Sequence, residues 1–178
     1  MSDQKVAGDR RVVEDGAIVV SNRVSPGVSD EVIDDLLDDG IVGMADYDIG
    51  PSLDPDDISK KNKTGRGSLN DIMTFSRVGG YLLAHKDGLD RVVAGRARPG
   101  SLRFEKIEMG DGSTKVLKCI QLDAYADIEE GELEGIQEIA NTQGLSRHTF
   151  TDLTDEEEVE RVVAAVTMLE RDGRLKYR

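Results

Sequence analysis

Residues 68–103 read SLNDIMTFSRVGGYLLAHKDGLDRVVAGRARPGSLR, and this stretch decides how the rest of the chain is arranged. Leu69 to Val78 spaces its apolar residues as an amphipathic helix does, and it ends at Gly79-Gly80. Tyr81 to His85 predicts a strand, Lys86-Asp87-Gly88 a turn, and Arg91 to Ala94 a second strand. An Asp-Gly dipeptide between two apolar runs is a strong hairpin signal. Gly95 is expected to break the second strand and Pro99-Gly100 to close the unit. Arg91, Arg96, Arg98 and Arg103 gather beside this hairpin in an otherwise acidic chain.

Upstream of the hairpin, Met1 to Arg11 reads as a flexible tail, leaving residues 12–178 as one domain. Ala17 to Val20 predicts a strand, left at Ser21-Asn22-Arg23. Ser29 can cap a helix over Asp30 to Asp38, with Asp30 and Glu31 in the first turn where the helix dipole favours acids. Gly40 ends that helix, and Ile41 to Met44 begins another strand, giving a β-α-β opening. Asp46 to Gly67 is polar and reads as a loop with a basic run at Lys60, Lys61 and Lys63. Downstream, Leu102 to Glu108 and Thr114 to Ala126 predict strands around the Gly110-Asp111-Gly112 turn. Glu129 to Thr142 carries a weak helical pattern, and Arg147 to Leu153 is extended. Thr154 is the expected cap of a last helix, Val159 to Arg171, stopped by Gly173. Strands outnumber helices. The expectation is α+β: a small, strongly bent or barrel-like mixed sheet with flanking helices and glycines 79, 80, 88 and 95 at its corners.

The chain of 178 residues has 36 acidic and 23 basic side chains, a formal net charge of −13. The acidity is spread along the sequence rather than blocked, which reads as a halophilic surface from a salt-rich cytoplasm; an ordinary acidic protein, or one that mimics nucleic acid, is the other reading. At ~1 M salt the Debye length is roughly 3 Å, so the charge is weak evidence against a nucleic-acid partner. Cys119 stands alone, which excludes an intrachain disulfide and a cysteine metal cluster. His85 and His148 are far apart and lack metal-ligand spacing. No nucleophile elbow or phosphate loop is present, so an enzyme is not expected and no cofactor is implied. No membrane-length apolar run occurs, and the expected location is the cytoplasm.

Several short motifs carry a resemblance in order. They are Val19-Val20-Ser21-Asn22, Val42 to Gly50 with Tyr47 and Asp48, Ile72 to Leu83, Val93-Ala94-Gly95-Arg96-Ala97, and Ser146 to Phe150. The set resembles the PUA-like and EVE-like β-barrel modules, closest to those that accompany Mrr-type restriction endonucleases. The tryptophans common in that group are missing here, as is a nuclease Asp…Glu-x-Lys arrangement. The resemblance therefore implies non-catalytic recognition of DNA or RNA, extending to a modified base flipped into a barrel pocket. It implies a defence or RNA-processing setting and a separate effector protein. Tyr47 would be the stacking face, Ser21, Asn22 and Asp48 would meet the base edge, and Phe75 and Tyr81 would form a second wall. Arg77, Arg96, Arg98 and the lysine loop would hold phosphates.

Two other classes stay open. Val159 to Arg178 is similar to the helix-turn-wing end of winged-helix DNA-binding regulators, with Arg171, Arg174, Lys176 and Arg178 on the DNA backbone. An acidic protein-interaction or inhibitor subunit is the third class. Carboxylates clustered on one face would favour it.

Overall fold

The computed structural model describes residues 18–24, 28–45, 54, 56, 63–86, 91–129 and 150–178. Strand β1 is Ile18–Val24, helix α1 Asp30–Asp38, β2 Ile41–Ala45 and α2 Lys63–Val78. Strands β3 to β7 follow as Gly80–Lys86, Val92–Ala97, Leu102–Glu108, Thr114–Gln121 and Ala124–Asp127. The chain ends with β8 Phe150–Asp152, α3 Glu156–Arg171 and β9 Lys176–Tyr177.

Six strands form one sheet in the order β8-β1-β3-β4-β7-β9, and three form a second in the order β2-β6-β5. Among the described strands only β1 and β3 run parallel, with Ile18 opposite Gly80 and Val24 opposite Lys86. All other pairs are antiparallel. The β-α-β opening thus sends β2 to the second sheet, and the parallel partner of β1 is β3.

Side chains alternate across the large sheet with the period of two that strands impose. Val20, Val24, Leu82, Ala84 and Val93 face a core shared with α1, α2 and the second sheet. Val19, Leu83, Val92 and Ala94 face α3, packing against Val162, Val163, Val166 and Leu169. Those four residues recur at i, i+1, i+4 and i+7, which places them on one helix face. Each fully buried Val or Leu contributes roughly 1.5–3 kcal/mol.

Among the described residues no barrel and no strongly bent sheet forms, which overturns the expected PUA-like or EVE-like fold. The large sheet is open, with edges at β8 and β9, strands of 3 and 2 residues that are too short to close on each other. Both of its faces are covered by other layers, so burial is achieved without closure. Of the glycines expected at barrel corners, Gly80 and Gly95 do other work, and Gly88 lies outside the described residues. A Cβ on Gly80, at φ +150°, would overlap the Ile18 carbonyl, so this glycine lets β3 lie against β1. Gly95 sits inside β4, against the Ala124 carbonyl oxygen and the Leu122 side chain, and does not break the strand.

The remaining differences are local. Strand β1 runs on through Ser21-Asn22-Arg23 because Asn22 is tied across the core: its Oδ1 accepts from the Gly43 amide at 2.8 Å. Helix α2 begins at Lys63, earlier than its apolar pattern, despite Gly65 and Gly67. Glycine lowers helix propensity by about 1 kcal/mol, which burial of Leu69, Ile72 and Phe75 outweighs. The strand expected over Thr114 to Ala126 is two, in different sheets, parted at Leu122-Asp123. Ser29 caps α1, accepting from the Val32 amide at 3.4 Å. Asp155, one residue past the expected Thr154, caps α3 by accepting from the Glu158 amide at 3.0 Å. The helical pattern after Glu129 lies outside the described residues.

Candidate functional site

The open end of the β3–β4 hairpin is built by register. Tyr81 on β3 is directly opposite Arg96 on β4. Arg96 is opposite Ala124 on β7, and Ala124 is opposite Tyr177 on β9. One row therefore crosses four strands as Tyr, Arg, Ala, Tyr. Directly paired residues share a sheet face, and strands lie about 4.8 Å apart, which sets the two tyrosines roughly 14 Å from each other. Ala124 is 1% exposed and belongs to the cluster packed against α3, so the middle of the row is covered by protein and its exposed ring is Tyr177.

A cleft of about 560 Å³ covers this row, with Val78, Arg98, Pro99 and Arg178 also on its walls. Tyr177 is 64% exposed and Val78 40%, among the few large apolar surfaces left in water. Arg96 is held by both Glu170 carboxylate oxygens, at 3.0 and 2.9 Å. That two-pronged bond raises the Arg96 pKa and lowers that of Glu170. It also fixes the guanidinium plane, and a fixed plane is what stacking requires. Arg178 bonds Asp39 at 2.8 Å. The guanidinium of Arg98 is exposed and has no carboxylate partner among the described residues.

Asp123, in the β6–β7 link, holds the cleft together. Its carboxylate accepts from the Arg98 amide. Its own amide donates to the Arg96 carbonyl at 2.9 Å, and its carbonyl accepts from the Arg178 amide at 2.8 Å. The β4–β5 link is pinned from the other side: Gly100 and Ser101 amides both donate to the Ser76 carbonyl, at 2.6 and 3.2 Å.

The residues singled out from sequence separate into three groups. Tyr81, Arg96 and Arg98 come together in the cleft, and exposed Arg77 precedes its Val78 wall. Ser21, Asn22 and Phe75 are buried in the interior at 1%, 0% and 0% exposure, away from any barrel mouth. Phase and packing explain this: Phe75 meets Phe150 edge to face at 5.7 Å. Tyr47, Asp48, Lys60 and Lys61 lie outside the described residues. Sequence reasoning gave Tyr177 and Asp123 no role. The Lys176-Tyr177-Arg178 ending, an aromatic between two cations, is the signal that could have raised Tyr177.

The two alternative classes meet other facts. Residues 176 and 177, read as a wing, are instead an edge strand paired with β7. Arg174 donates to the Asp127 carbonyl at 3.3 Å, and Arg171 lies 3.5 Å from Asp172. On α1, Asp34 and Asp38 are engaged by Arg91, and Lys86 approaches Asp34 at 3.3 Å. These acids are partly neutralised rather than displayed as a row of bare charge.

Among the described residues no group of three or more His, Cys, Asp and Glu could hold a metal ion. Among the same residues no helix is long and apolar enough to cross a membrane. Cys119 is buried, and burial pushes its thiol up to about 12, which keeps it protonated and inert. Comparison with family models, with curated proteins and with solved structures finds no match for this chain.

Proposed function

We propose that this chain binds single-stranded nucleic acid, without chemistry, in the cleft over the Tyr81-Arg96-Ala124-Tyr177 row. The observation that carries the reading is the row itself. A nucleobase stacks on the exposed Tyr177 ring at the cleft wall, which Arg96 also lines. Such stacking is worth about 1–3 kcal/mol per base and tolerates any base. Arg98 and Arg178 line the cleft, and in this reading they contact the phosphates on either side. The net charge of −13 sets the conditions: binding in molar potassium chloride has to come from stacking and short contacts rather than counterion release.

The test is fluorescence anisotropy in molar potassium chloride with single- and double-stranded DNA and RNA. Single strands are expected to bind, and Tyr177→Ala to weaken them about tenfold or more, in line with the loss of one stacked base. Because Tyr177 is 64% exposed, its removal leaves the melting temperature within a few degrees. No binding by any strand, or equal binding by Tyr177→Ala, rejects the reading.

A further inference from the structure

We propose that the β4–β5 link forms a second subsite, continuous with the first, that takes the next phosphodiester of the bound strand. It rests on the nucleic-acid reading above and names the ligand as a dinucleotide or longer.

A second cleft of about 510 Å³ lies along this link and shares Arg98, Pro99 and Asp123 with the first. The two volumes are therefore neighbours along one groove, with Arg98 between them. The second is lined further by Gly100, Ser101, Arg103 and Gln121.

Ser101 supplies the independent observation. It is 9% exposed, and its Oγ is buried with no hydrogen-bond partner among the described residues. A buried hydroxyl left unsatisfied costs stability, and folded proteins rarely keep one without a reason. A hydroxyl in the wall of a groove beside an unpaired arginine is what a phosphate oxygen would use. The hydroxyl donates one bond, and Arg98 supplies the charge. The carboxylates that face this point are already engaged. Asp123 accepts from the Arg98 amide, and Glu105 is paired with Arg103. Arg103 also donates to the Gln121 side chain at 3.0 Å, which positions it at the groove wall. At Gly100, φ is +82° and a Cβ would meet nothing within 4 Å, so the turn leaves its outer side open to a ligand backbone.

The experiment compares a 5′-mononucleotide with the matching 5′-phosphorylated dinucleotide, on the full chain, by competition against a labelled single strand. The dinucleotide is expected to bind about tenfold more tightly, as one charge-assisted hydrogen bond plus one ion contact would give. Ser101→Ala should erase most of that advantage while leaving mononucleotide affinity unchanged. Its melting temperature should hold or rise, because the hydroxyl it removes has no protein partner. Arg103→Gln, at a side chain 47% exposed, is the second variant and should also reduce only the dinucleotide advantage. Equal affinity of the two ligands, or a dinucleotide advantage that survives in Ser101→Ala, overturns the second subsite and leaves the first standing. Failure of both ligands to bind overturns both.

Discussion

The two ends of the β3–β4 hairpin carry similar cations and treat them in opposite ways. At the end nearest α1, Arg91 donates to Asp127 at 2.8 Å and Asp38 at 2.7 Å, and lies 3.4 Å from Asp34. Its side chain is only 17% exposed. Burial opposes its charge, but the bonds to Asp127 and Asp38 outweigh that and hold its pKa above the ordinary arginine value. At the other end, Arg96 keeps one carboxylate partner and Arg98 none among the described residues. An arginine surrounded by carboxylates is a structural tie with little capacity left for a ligand. An arginine over an open cleft costs the fold little and remains available. The same residue type, a few positions apart in and beside one strand, thus serves stability at one end and suits binding at the other.

This contrast can be broken by mutation, beginning with the largest effect. Gly80→Ala, at the open end, places a Cβ against the Ile18 backbone at φ +150°. It should cost at least about 3 kcal/mol, because a strained φ alone costs about 1–3 kcal/mol and the clash adds to it. Urea denaturation measures it; a loss below 1 kcal/mol would mean that β1 and β3 can separate freely. Arg91→Ala comes next, at about 1–3 kcal/mol, since its carboxylate partners are 44–61% exposed and solvent screens them. The loss should shrink in high salt. A loss equal to that of Arg98→Ala would erase the distinction between the ends.

Smaller effects sharpen it. The Glu170 pKa is lowered in the folded protein by its bond to Arg96. Its stabilisation is therefore present above the ordinary glutamate pKa and is lost as pH falls through the lowered value. Arg96→Ala should flatten that part of the acid limb in a plot of stability against pH, and an unchanged limb would show that the pair is not formed. Arg98→Ala should change stability by less than about 0.5 kcal/mol, as surface substitutions do, while weakening strand binding severalfold. A large fall in melting temperature with unchanged binding would reverse its assignment.

Much of the local structure was legible in the residues. Helix α1 was readable from Ser29, two acids and the Val32-Ile33-Leu36-Leu37 spacing, and its bounds match. The pairing of β3 with β4 and the strand β5 were readable because alternation is a local signal, while the expected Asp87-Gly88 turn lies outside the described residues. The site was only partly legible. Tyr81, Arg96 and Arg98 lie within eighteen residues of one another, so their proximity follows from one hairpin. Tyr177 joins them only through β9, a strand of two residues with no pattern of its own. Phe75 illustrates the reverse case: an aromatic beside the hairpin, directed by helical phase into the core against Phe150.

The sequence by itself determined the elements: where most helices start and stop, which strand faces are apolar, and the acid excess of the surface. These depend on neighbours within a few residues, through caps, periodicity and turn chemistry. Only the tertiary structure decided that the sheet stays open, that β2 and β6 leave it for a second sheet, and that the chain's end completes the Tyr-Arg-Ala-Tyr row. Those outcomes depend on which distant strands pair, as with Tyr177 and Ala124. Pairing energy is backbone hydrogen bonding that nearly every residue type supplies, so no local pattern records it.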